Sequence, residues 1–394
     1  MARLISLLAI LLFATSTAMG EEAAKKTLPT GIVKEKPAEG RSVKCDAGYM
    51  VAYKQVIPGT EIEFTMLPIP GGTYMMGSPD AEEDRQDDEG PQVKVNVQPF
   101  WMGKCEVTWH QYQYFMGMYD LFKSMESNKI RPVTDENRID AVTVPTPLYE
   151  PDFTYSVGQE GNMPAVTMTQ YAARQYTKWL SRLVGDMHRL PTEAEWEYAC
   201  RAGTTTRYSW GDDAEKAEEY CWFFDNSDDL LHPVGTKKPN PWGLHDMHGS
   251  VAELCMDQYD GEACKKLAVR AKDGLTAVGS ITWPKKIFNR VIRGGHWGSE
   301  ADALRSAARS HTEDWRTEDP NLPKSPWWFT DEEGQQVGFR LVRPLKPVAR
   351  DKQEKYYASD AELLTLSIDN RLSEGRGVIG YVDKDLPKDI EKVK

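Results

Sequence analysis

Regular patterns of hydrophobic and polar residues are few in this chain. Residues 61–67 alternate as a half-buried strand does, and a Pro-Gly-Gly turn follows them. After Thr167, apolar residues recur at the spacing of one helix face until Gly185. The pattern Thr167-x-x-Gln170 is typical of a helix start and places the beginning of this helix at Thr167.

Two further helices are predicted. One starts at Thr192, where Thr192-x-x-Glu195 is again a capping pattern, and Gly203 closes it. The other is an amphipathic helix between Ser359 and Gly375 in the charged C-terminal part.

Elsewhere the periodicity is lost. Residues 120–163 contain several prolines and predict a long loop or insertion, while turns, Trp and Gly dominate from Gly203 to about residue 343. Short strand-like pieces such as residues 338–342 interrupt this region. The pattern indicates an irregular α+β domain with little regular secondary structure, and it does not fit a βαβ fold.

The chain divides into four parts on these grounds. We expect a signal peptide at 1–20, an N-terminal lead-in at 21–59 that is flexible to residue 44, a single domain at 60–345, and a charged tail with one helix at 346–394. The first 20 residues have an early Arg3, an apolar core of 11 residues and small residues at the cleavage position. They predict a secreted or periplasmic protein, and a short membrane anchor is the alternative.

Charge excludes one class of partner. The chain of 394 residues has 48 basic and 60 acidic residues, and its formal net charge is −12. A nucleic-acid-binding protein needs a basic surface to meet phosphates, so we expect no nucleic acid. We also expect no membrane span after signal cleavage, because no later stretch approaches about 20 apolar residues.

Cysteine usage allows disulfides in an oxidising compartment. All six cysteines follow the predicted signal peptide, at positions 45, 105, 200, 221, 255 and 264. The first candidate pair is Cys255–Cys264, because the loop between them is short and rich in turn residues. Buried free thiols are the alternative. The chain has no C-x-x-C motif, which argues against zinc-ribbon and thioredoxin-like sites.

Six blocks in a fixed order then carry a resemblance. They are residues 68–78 (PIPGGTYMMGS), Glu106-Val107-Thr108, residues 189–199 (RLPTEAEWEYA), residues 239–249 (PNPWGLHDMHG), residues 293–297 (RGGHW) and Gly338-Phe339-Arg340. Together they resemble the formylglycine-generating enzyme family, also called the sulfatase-modifying factor family, over roughly residues 60–345. The resemblance implies a single irregular domain that is a variant of the C-type lectin fold. It does not imply one activity, because the family includes copper oxidases, iron-dependent relatives and members without assigned chemistry.

The copper site of the oxidase members is not retained in this sequence. Those members bind copper through two cysteines that follow the double-glycine motif, and soft thiolates select that metal. Here residues 294–310 contain no cysteine, Ser299 stands where the first would be, and the shortened segment has no second position. We therefore expect no copper cofactor. Ser299 and His296 are the only candidates for catalytic residues.

The histidines have two interpretations. His296 could be a remnant ligand or an acid/base, or a hydrogen-bonded residue under a glycine-rich turn, which we favour. His245 and His248 form an H-x-x-H, but this spacing on a loop without a third ligand is weak evidence for a metal site.

Calcium is the metal that the resemblance implies. Structural Ca²⁺ in the family corresponds here to Asp246 and Glu253 as side-chain ligands and to Gly249 and Val251 as carbonyl ligands. Asn226 is the member of a second site that can be placed. Hard cations prefer such oxygen donors. The alternative is a loop held by hydrogen bonds alone.

The functional hypothesis follows from these points. We expect an exported formylglycine-generating-enzyme-like protein that lacks copper chemistry, with calcium as a structural cofactor. It is expected to act as a binding or accessory protein that takes a peptide, protein or glycan in the family groove, rather than as an enzyme. One alternative is an oxidase of the family with other metal ligands, and a second is a surface scaffold whose tail recruits a partner.

Overall fold

Five small sheets surround a long buried helix in the part of the chain that the structure describes. The structure is a computed structural model, and it describes residues 28–142, 155–271, 274–316 and 324–394. The predicted signal peptide at 1–20 lies outside these residues.

The strands are short, as the scarcity of alternating patterns predicts. They are Ile32–Val33 (β1), Ser42–Cys45 (β2), Gly48–Val51 (β3), Tyr53–Val56 (β4), Glu63–Ile69 (β5), Gly72–Met76 (β6), Val93–Val97 (β7), Phe100–Gly103 (β8), Arg138–Val142 (β9), Ala252–Gln258 (β10), Arg290–Arg293 (β11), Arg309–His311 (β12), Val337–Gly338 (β13), Val342–Pro344 (β14) and Val378–Tyr381 (β15).

The α-helices connect and cover these strands. They are Trp109–Met116 (α1), Met118–Ser127 (α2), Gln170–Val184 (α3), Glu193–Arg201 (α4), Ala217–Tyr220 (α5), Ala263–Arg270 (α6), Arg350–Gln353 (α7), Glu362–Ser373 (α8) and Leu386–Ile390 (α9).

Two four-stranded sheets form the centre of the described structure. One has the order β14-β8-β5-β4 and the other the order β12-β11-β10-β13. In the second sheet β10 and β11 are antiparallel and place Glu253 opposite Arg293, while β10 and β13 are parallel. This second sheet positions the candidate site, because the double-glycine turn begins directly at the end of β11.

The helix predictions hold with one shift in register. Thr169, not Thr167, is the N-cap of α3, and its hydroxyl accepts a hydrogen bond from the Ala172 N–H at 3.3 Å. Thr167 has a positive φ of 71° and therefore cannot begin the helix. Gly185 ends α3 in the left-handed conformation, as predicted.

The capping box at the start of α4 is present as predicted. The Thr192 hydroxyl accepts from the Glu195 N–H, and the Glu195 carboxylate accepts from the Thr192 N–H at 2.9 Å. The same carboxylate also binds Arg189 in a bidentate ion pair. The helix ends at Arg201, two residues before Gly203.

Two segments that the sequence suggested were irregular contain regular structure. In the lead-in, β1 and β2 pair with β3, so residues 32–45 are not a flexible segment. The expected loop at 120–163 contains most of α2 and the strand β9, which pairs with β15 from the tail. Short elements paired over large sequence distances leave no local period, which explains why the sequence pattern missed them.

An aromatic cluster forms the main core around α3. Tyr176 of α3 lies 5.6 Å from the rings of Tyr112 and Phe339, measured between ring centroids, and Trp179 lies 5.5 Å from Phe115. Pairs at these distances add to the free energy of burial beyond their area.

The tail covers the polar face of α3. Asp360 forms ion pairs with Arg174 of α3 and with Arg290 of β11, and Glu354 binds Lys178 at 2.7 Å. Arg174 and Gln175 also donate to backbone carbonyls of residues 355–357. Helix α3 is therefore buried on nearly every side, although its sequence is amphipathic. The helix predicted between Ser359 and Gly375 is α8, and its buried positions include Leu364 and Ile368.

The cysteine prediction is corrected by the structure. All six cysteines are free thiols, so the expected Cys255–Cys264 disulfide is not formed. Cys255 lies inside β10 and packs in the second hydrophobic core, with its sulfur 3.8 Å from the Glu253 carbonyl of its own strand. Cys264 lies in α6, so the two cysteines belong to a strand and a helix and not to one short loop.

Among the described helices, none combines the length and the apolar character that a membrane crossing requires.

We expect Asp360→Ala to destabilise the fold. The substitution leaves Arg174 and Arg290 without their carboxylate, and their side chains are only 1% and 3% exposed. Unpairing a buried charge typically costs about 3–5 kcal/mol. Urea unfolding at pH 7 measures the loss, and Asp369→Ala on the exposed side of α8 is the control, with an expected change within about 0.5 kcal/mol. Equal unfolding midpoints for the two variants would contradict the role of Asp360.

Candidate functional site

A glycine turn at the end of β11 builds the candidate site. Gly294 and Gly295 have φ values of 100° and 67°, a region that residues with a Cβ rarely adopt. A Cβ on Gly294 would lie 3.0 Å from the Trp196 ring, and one on Gly295 would lie 2.7 Å from the Leu304 side chain. The turn therefore requires glycine at both positions, and it leads to His296, which is half-buried, and to Ser299, which is buried.

Arg293 holds the segment that follows this turn, residues 302–310, which we call the return segment. Its guanidinium donates to the carbonyls of Ser306, Ala307 and Ala308 and forms an ion pair with Glu197 at 2.5 Å. Its side chain is fully buried. This contact ties the turn, the return segment and α4 into one unit.

A cavity of about 320 Å³ lies beside the turn. Its walls include the turn itself and the return segment 302–310. They also include residues 86 and 89 of the acidic loop, which we define as residues 79–91, together with Trp315 and residues 333–337. Both candidate catalytic residues, His296 and Ser299, line it.

Ser299 and His296 do not form a nucleophile–base pair. The Ser299 hydroxyl accepts a hydrogen bond from the His296 backbone N–H at 3.0 Å, and among the described contacts none joins it to the imidazole ring. The ring nitrogen Nδ1 accepts from the Gly298 N–H at 3.2 Å, so a neutral ring carries its proton on Nε2. Burial lowers the pKa of His296 to about 4, so the ring is neutral near pH 7. An activated serine needs a base within hydrogen-bond reach, which this arrangement lacks.

Arg305 holds the acidic loop against the return segment. Its guanidinium forms a bidentate pair with Glu89 at 2.6 and 2.8 Å and a further pair with Glu82 at 2.8 Å. Its remaining donors reach the carbonyls of Asp84 and Asp302. Burial alone would raise the pKa of Glu89, but the hydrogen bonds from Arg305, Ser78 and the Gln86 backbone, together with the charge of Arg305, lower it. All five donors of Arg305 are therefore used inside the protein.

Arg309 is satisfied in the same way. It binds both carboxylate oxygens of Glu193, at 2.7 and 3.0 Å, and donates to the Asp88 carbonyl at 3.0 Å. Its side chain is 2% exposed.

Two carboxylates at the cavity have no cationic partner. Asp302 and Glu333 both line the cavity and are exposed, and in the described part of the chain neither makes an ion pair. One Asp302 oxygen accepts from the Ala303 N–H at 2.8 Å. The sequence analysis missed both residues, because nothing in their local pattern separates them from other surface acids.

The five expected calcium ligands have different surroundings, and Glu253 lies in β10 rather than on a loop. Glu253 binds Arg340 with both oxygens and also accepts from the Trp196 indole at 2.9 Å. The Asn226 side chain accepts from the Phe223 N–H and donates to the Cys221 carbonyl, both at 3.0 Å. The Asp246 carboxylate accepts from the Gly235 N–H at 2.6 Å and shares a hydrogen bond with the carboxyl of Glu106.

The two carbonyl ligands belong to the backbone between Asp246 and β10. Gly249 has a φ of 76° and donates its N–H to the Gly294 carbonyl at 2.8 Å, and Val251 is fully buried. The predicted calcium loop therefore packs directly on the double-glycine turn.

Glu106 is a buried carboxyl beside this loop that the sequence analysis left without a role. Its carboxyl shares a hydrogen bond with that of Asp246, and the Arg340 guanidinium lies 4.0 Å away. Burial and the neighbouring Asp246 raise the pKa of Glu106 well above its usual range. Glu106, Asp246 and Glu253 thus face one guanidinium, and this excess negative charge needs a proton or a cation to balance it.

Clusters of the usual metal-binding side chains are not found. Within the described residues, no three His, Cys, Asp or Glu side chains come together in a way that could hold a metal ion. A calcium site can also be built from two carboxylates and backbone carbonyls, and it then needs no third side chain of these types.

Both histidines of the H-x-x-H pair contact backbone carbonyls of neighbouring segments. His245 contacts the Lys237 carbonyl at 2.8 Å, and His248 contacts the Leu304 carbonyl at 2.7 Å and the Ser209 hydroxyl at 3.0 Å. Each ring thus has its own backbone partner, and the structural interpretation of the two histidines agrees with these contacts.

Comparison with known proteins places this site in a family. Residues 57–321, more than half of the chain, match the sulfatase-modifying factor enzyme 1-like domain. The chain is 29% identical over 299 residues to a serine/threonine-protein kinase, Pkn1, of Chlamydia pneumoniae, and the match covers 75% of this chain and 42% of the relative. The chain thus spans less than half of the length of that relative.

Two other relatives carry family names. The formylglycine-generating enzyme of Thermomonospora curvata is 29% identical, with 51% of this chain and 74% of the relative covered. An inactive C-alpha-formylglycine-generating enzyme 2 of Bos taurus is 26% identical, with 57% and 82% covered.

The solved structure of PvdO from Pseudomonas aeruginosa is similar to this fold. It aligns with a TM-score of 0.52 and 26% identity, over 75% of this chain and 98% of that one. The order of the sequence blocks, the α+β fold and these matches agree, and the protein belongs to the sulfatase-modifying factor family.

Proposed function

We propose that this protein is an exported binding or accessory member of the family, which uses the cavity beside the double-glycine turn to hold a ligand without copper chemistry. The observation that carries the proposal is the composition of that cavity. None of its described lining residues is a cysteine, and Ser299 uses its hydroxyl to brace the turn. A hard hydroxyl does not replace a thiolate as a copper(I) ligand.

Two buried cysteines, Cys200 and Cys264, are poor substitutes for the missing copper thiolates. Cys200 and Cys264 are buried, and burial raises the pKa of each to about 12. Thiols of this kind stay protonated near neutral pH and are poor ligands and nucleophiles. One relative is named an inactive C-alpha-formylglycine-generating enzyme, and this name supports the proposal.

The first prediction concerns oxidation. We expect no formylglycine on a Cys-x-Pro-x-Arg peptide after incubation with the copper-treated protein under air, because two thiolates are missing from the site. Mass spectrometry of the peptide measures conversion, and a no-protein sample is the control. We expect Ser299→Cys to remain inactive as well, since it supplies one sulfur only.

Sustained conversion over many turnovers would instead support the oxidase alternative. Failure of the protein to bind any peptide, protein or glycan would shift weight to the scaffold alternative.

We also propose a structural Ca²⁺ ion at Asp246. The support is charge: three buried carboxyl groups, those of Glu106, Asp246 and Glu253, lie around the single guanidinium of Arg340. Glu253 fits this role less well than the resemblance implied, because Arg340 and Trp196 already occupy its carboxylate. Asp246 and Glu106 are thus the carboxylates that a hard cation would meet.

The second prediction is calcium-dependent stability. Ca²⁺ at 100 times its dissociation constant adds about 2.7 kcal/mol to the free energy of unfolding. For a chain of this size that raises the melting temperature by roughly 2–4 °C per kcal/mol. Chelation should lower the melting temperature, Asp246→Asn should remove the difference, and Asp225→Asn on the nearby surface should keep it. A chelator effect of equal size in Asp246→Asn and the unmodified protein would rule out this site.

A further inference from the structure

A second cavity of about 400 Å³ lies where β8 leads into α1. Its walls come from residues 63–65 of β5, from the segment between β8 and α1, from residues 161 and 162, and from Val234 and Leu341. In the described part of the chain it shares no lining residue with the cavity beside the double-glycine turn. It is therefore a separate feature of the surface.

Helix α1 begins with a capping pattern that the helix does not use. Thr108 is its N-cap and Gln111 follows three residues later, as Glu195 follows Thr192 at the start of α4. In α4 both side chains make the reciprocal hydrogen bonds of a capping box. In α1 the Thr108 hydroxyl makes no cap hydrogen bond within the described structure.

Backbone carbonyls of a neighbouring loop take over the task of the cap. The Trp109 N–H donates to the Met163 carbonyl at 3.0 Å. The His110 N–H donates to the Gly161 carbonyl at 2.9 Å. Two of the donors that a helix start leaves free are thus satisfied without the Thr108 side chain.

Both side chains of the unused capping pattern line the second cavity. Gln111 is 6% and Thr108 is 9% exposed, so both are buried. Among the contacts of the described residues, none engages the Gln111 amide or the Thr108 hydroxyl. Buried polar groups without a partner cost free energy, so their partners have to come from what fills the cavity.

The other lining groups favour a neutral ligand. The carboxylate of Glu63 is paired with Lys54, and the Glu106 carboxyl shares a hydrogen bond with that of Asp246. Lys104 lines the cavity as an exposed cation, and a lone exposed charge contributes little to binding.

The unpaired groups and the apolar wall together match a sugar. The amides of Gln111 and Asn162 and the hydroxyl of Thr108 can each donate and accept, as sugar hydroxyls do. Phe64 and Val107 supply apolar surface for the C–H face of a sugar ring. Ligand cavities commonly combine such apolar walls with a few polar groups that fix orientation.

We propose that the second cavity binds a neutral sugar, with Thr108 and Gln111 recognising its hydroxyl groups. This site goes beyond the proposed function, which concerns the cavity beside the double-glycine turn. The volume of about 400 Å³ equals that of about thirteen water molecules, which is enough for one or two sugar rings.

The test is saturation-transfer difference NMR on the full chain. The probes are glucose, galactose, mannose, rhamnose and N-acetylglucosamine, and tetrahydropyran is a ring of the same kind without hydroxyl groups. We expect at least one sugar to give a saturable signal, with a dissociation constant on the order of 1 mM for so small a ligand. Tetrahydropyran should give none. Glucuronate and glucosamine should bind no more tightly than the neutral sugars.

The main variant is Gln111→Leu, which removes the amide and keeps a side chain of similar size. We expect it to weaken sugar binding about tenfold, because one buried hydrogen bond is lost. Its melting temperature should not fall, since the amide has no partner in the protein. Gln113→Leu is the matched control on an exposed position of α1 outside the cavity, and it should keep sugar binding.

A second pair of variants separates recognition from helix capping. Thr108→Val should weaken sugar binding and keep the melting temperature, because its hydroxyl makes no cap bond. Thr192→Val should lower the melting temperature, because it breaks a capping box that is formed.

Several outcomes would overturn the proposal. They are no saturable signal with any of the five sugars, equal binding of tetrahydropyran, tighter binding of glucuronate or glucosamine, and equal loss in Gln111→Leu and Gln113→Leu. A fall in melting temperature in Gln111→Leu as large as that in Thr192→Val would assign Gln111 to the fold instead. Each of these results leaves the proposed function of the other cavity untouched.

Discussion

Buried arginine–carboxylate pairs are the interaction on which the rest of this structure depends. Long irregular segments leave backbone carbonyls that no helix or sheet satisfies, and such groups need partners when buried. Arg293 donates to three carbonyls of the return segment and Arg340 to those of Gly103 and His245. Each guanidinium must then be neutralised where it lies, by Glu197 and by Glu253. Removing one partner strands a buried charge, at a cost of several kcal/mol.

The same constraint sets the chemistry of the cavity. Arg305 and Arg309 stand at its wall, yet their donors are directed to Glu89, Glu82 and Glu193 because the acidic loop has to be held against the return segment. The two arginines of the site therefore have a structural role, and the exposed carboxylates of Asp302 and Glu333 face the solvent. Part of the net charge of −12 thus lies at this cavity, as the two exposed carboxylates of Asp302 and Glu333.

The sequence predicted what is local and missed what is distant. The capping box of Thr192 and Glu195 lies within four residues, and its pattern and its contacts coincide. The capping pattern placed the start of α3 at Thr167, and the backbone conformation moves it to Thr169. The burial of α3 could not be seen, because Asp360, which covers Arg174, is 186 residues away. The cavity acids Asp302 and Glu333 were missed for the same reason: their importance depends on which distant arginines are already paired. The disulfide prediction rested on proximity in sequence alone, whereas a disulfide depends on the distance and direction of the two Cβ atoms, which the strand and the helix that carry Cys255 and Cys264 determine.

The double-glycine turn is held in place by contacts among the chain's own residues. Gly294 and Gly295 are required by the close approach of Trp196 and Leu304, and Arg293 ties the return segment to α4. None of these contacts involves the thiol positions. Ser299 takes a part in the turn instead, since its hydroxyl accepts the His296 N–H at normal hydrogen-bond length. A thiol accepts hydrogen bonds only weakly, so serine is the better residue for that contact. Serine at position 299 therefore serves the turn itself, and the segment that follows it brings Arg305 onto Glu89 of the acidic loop.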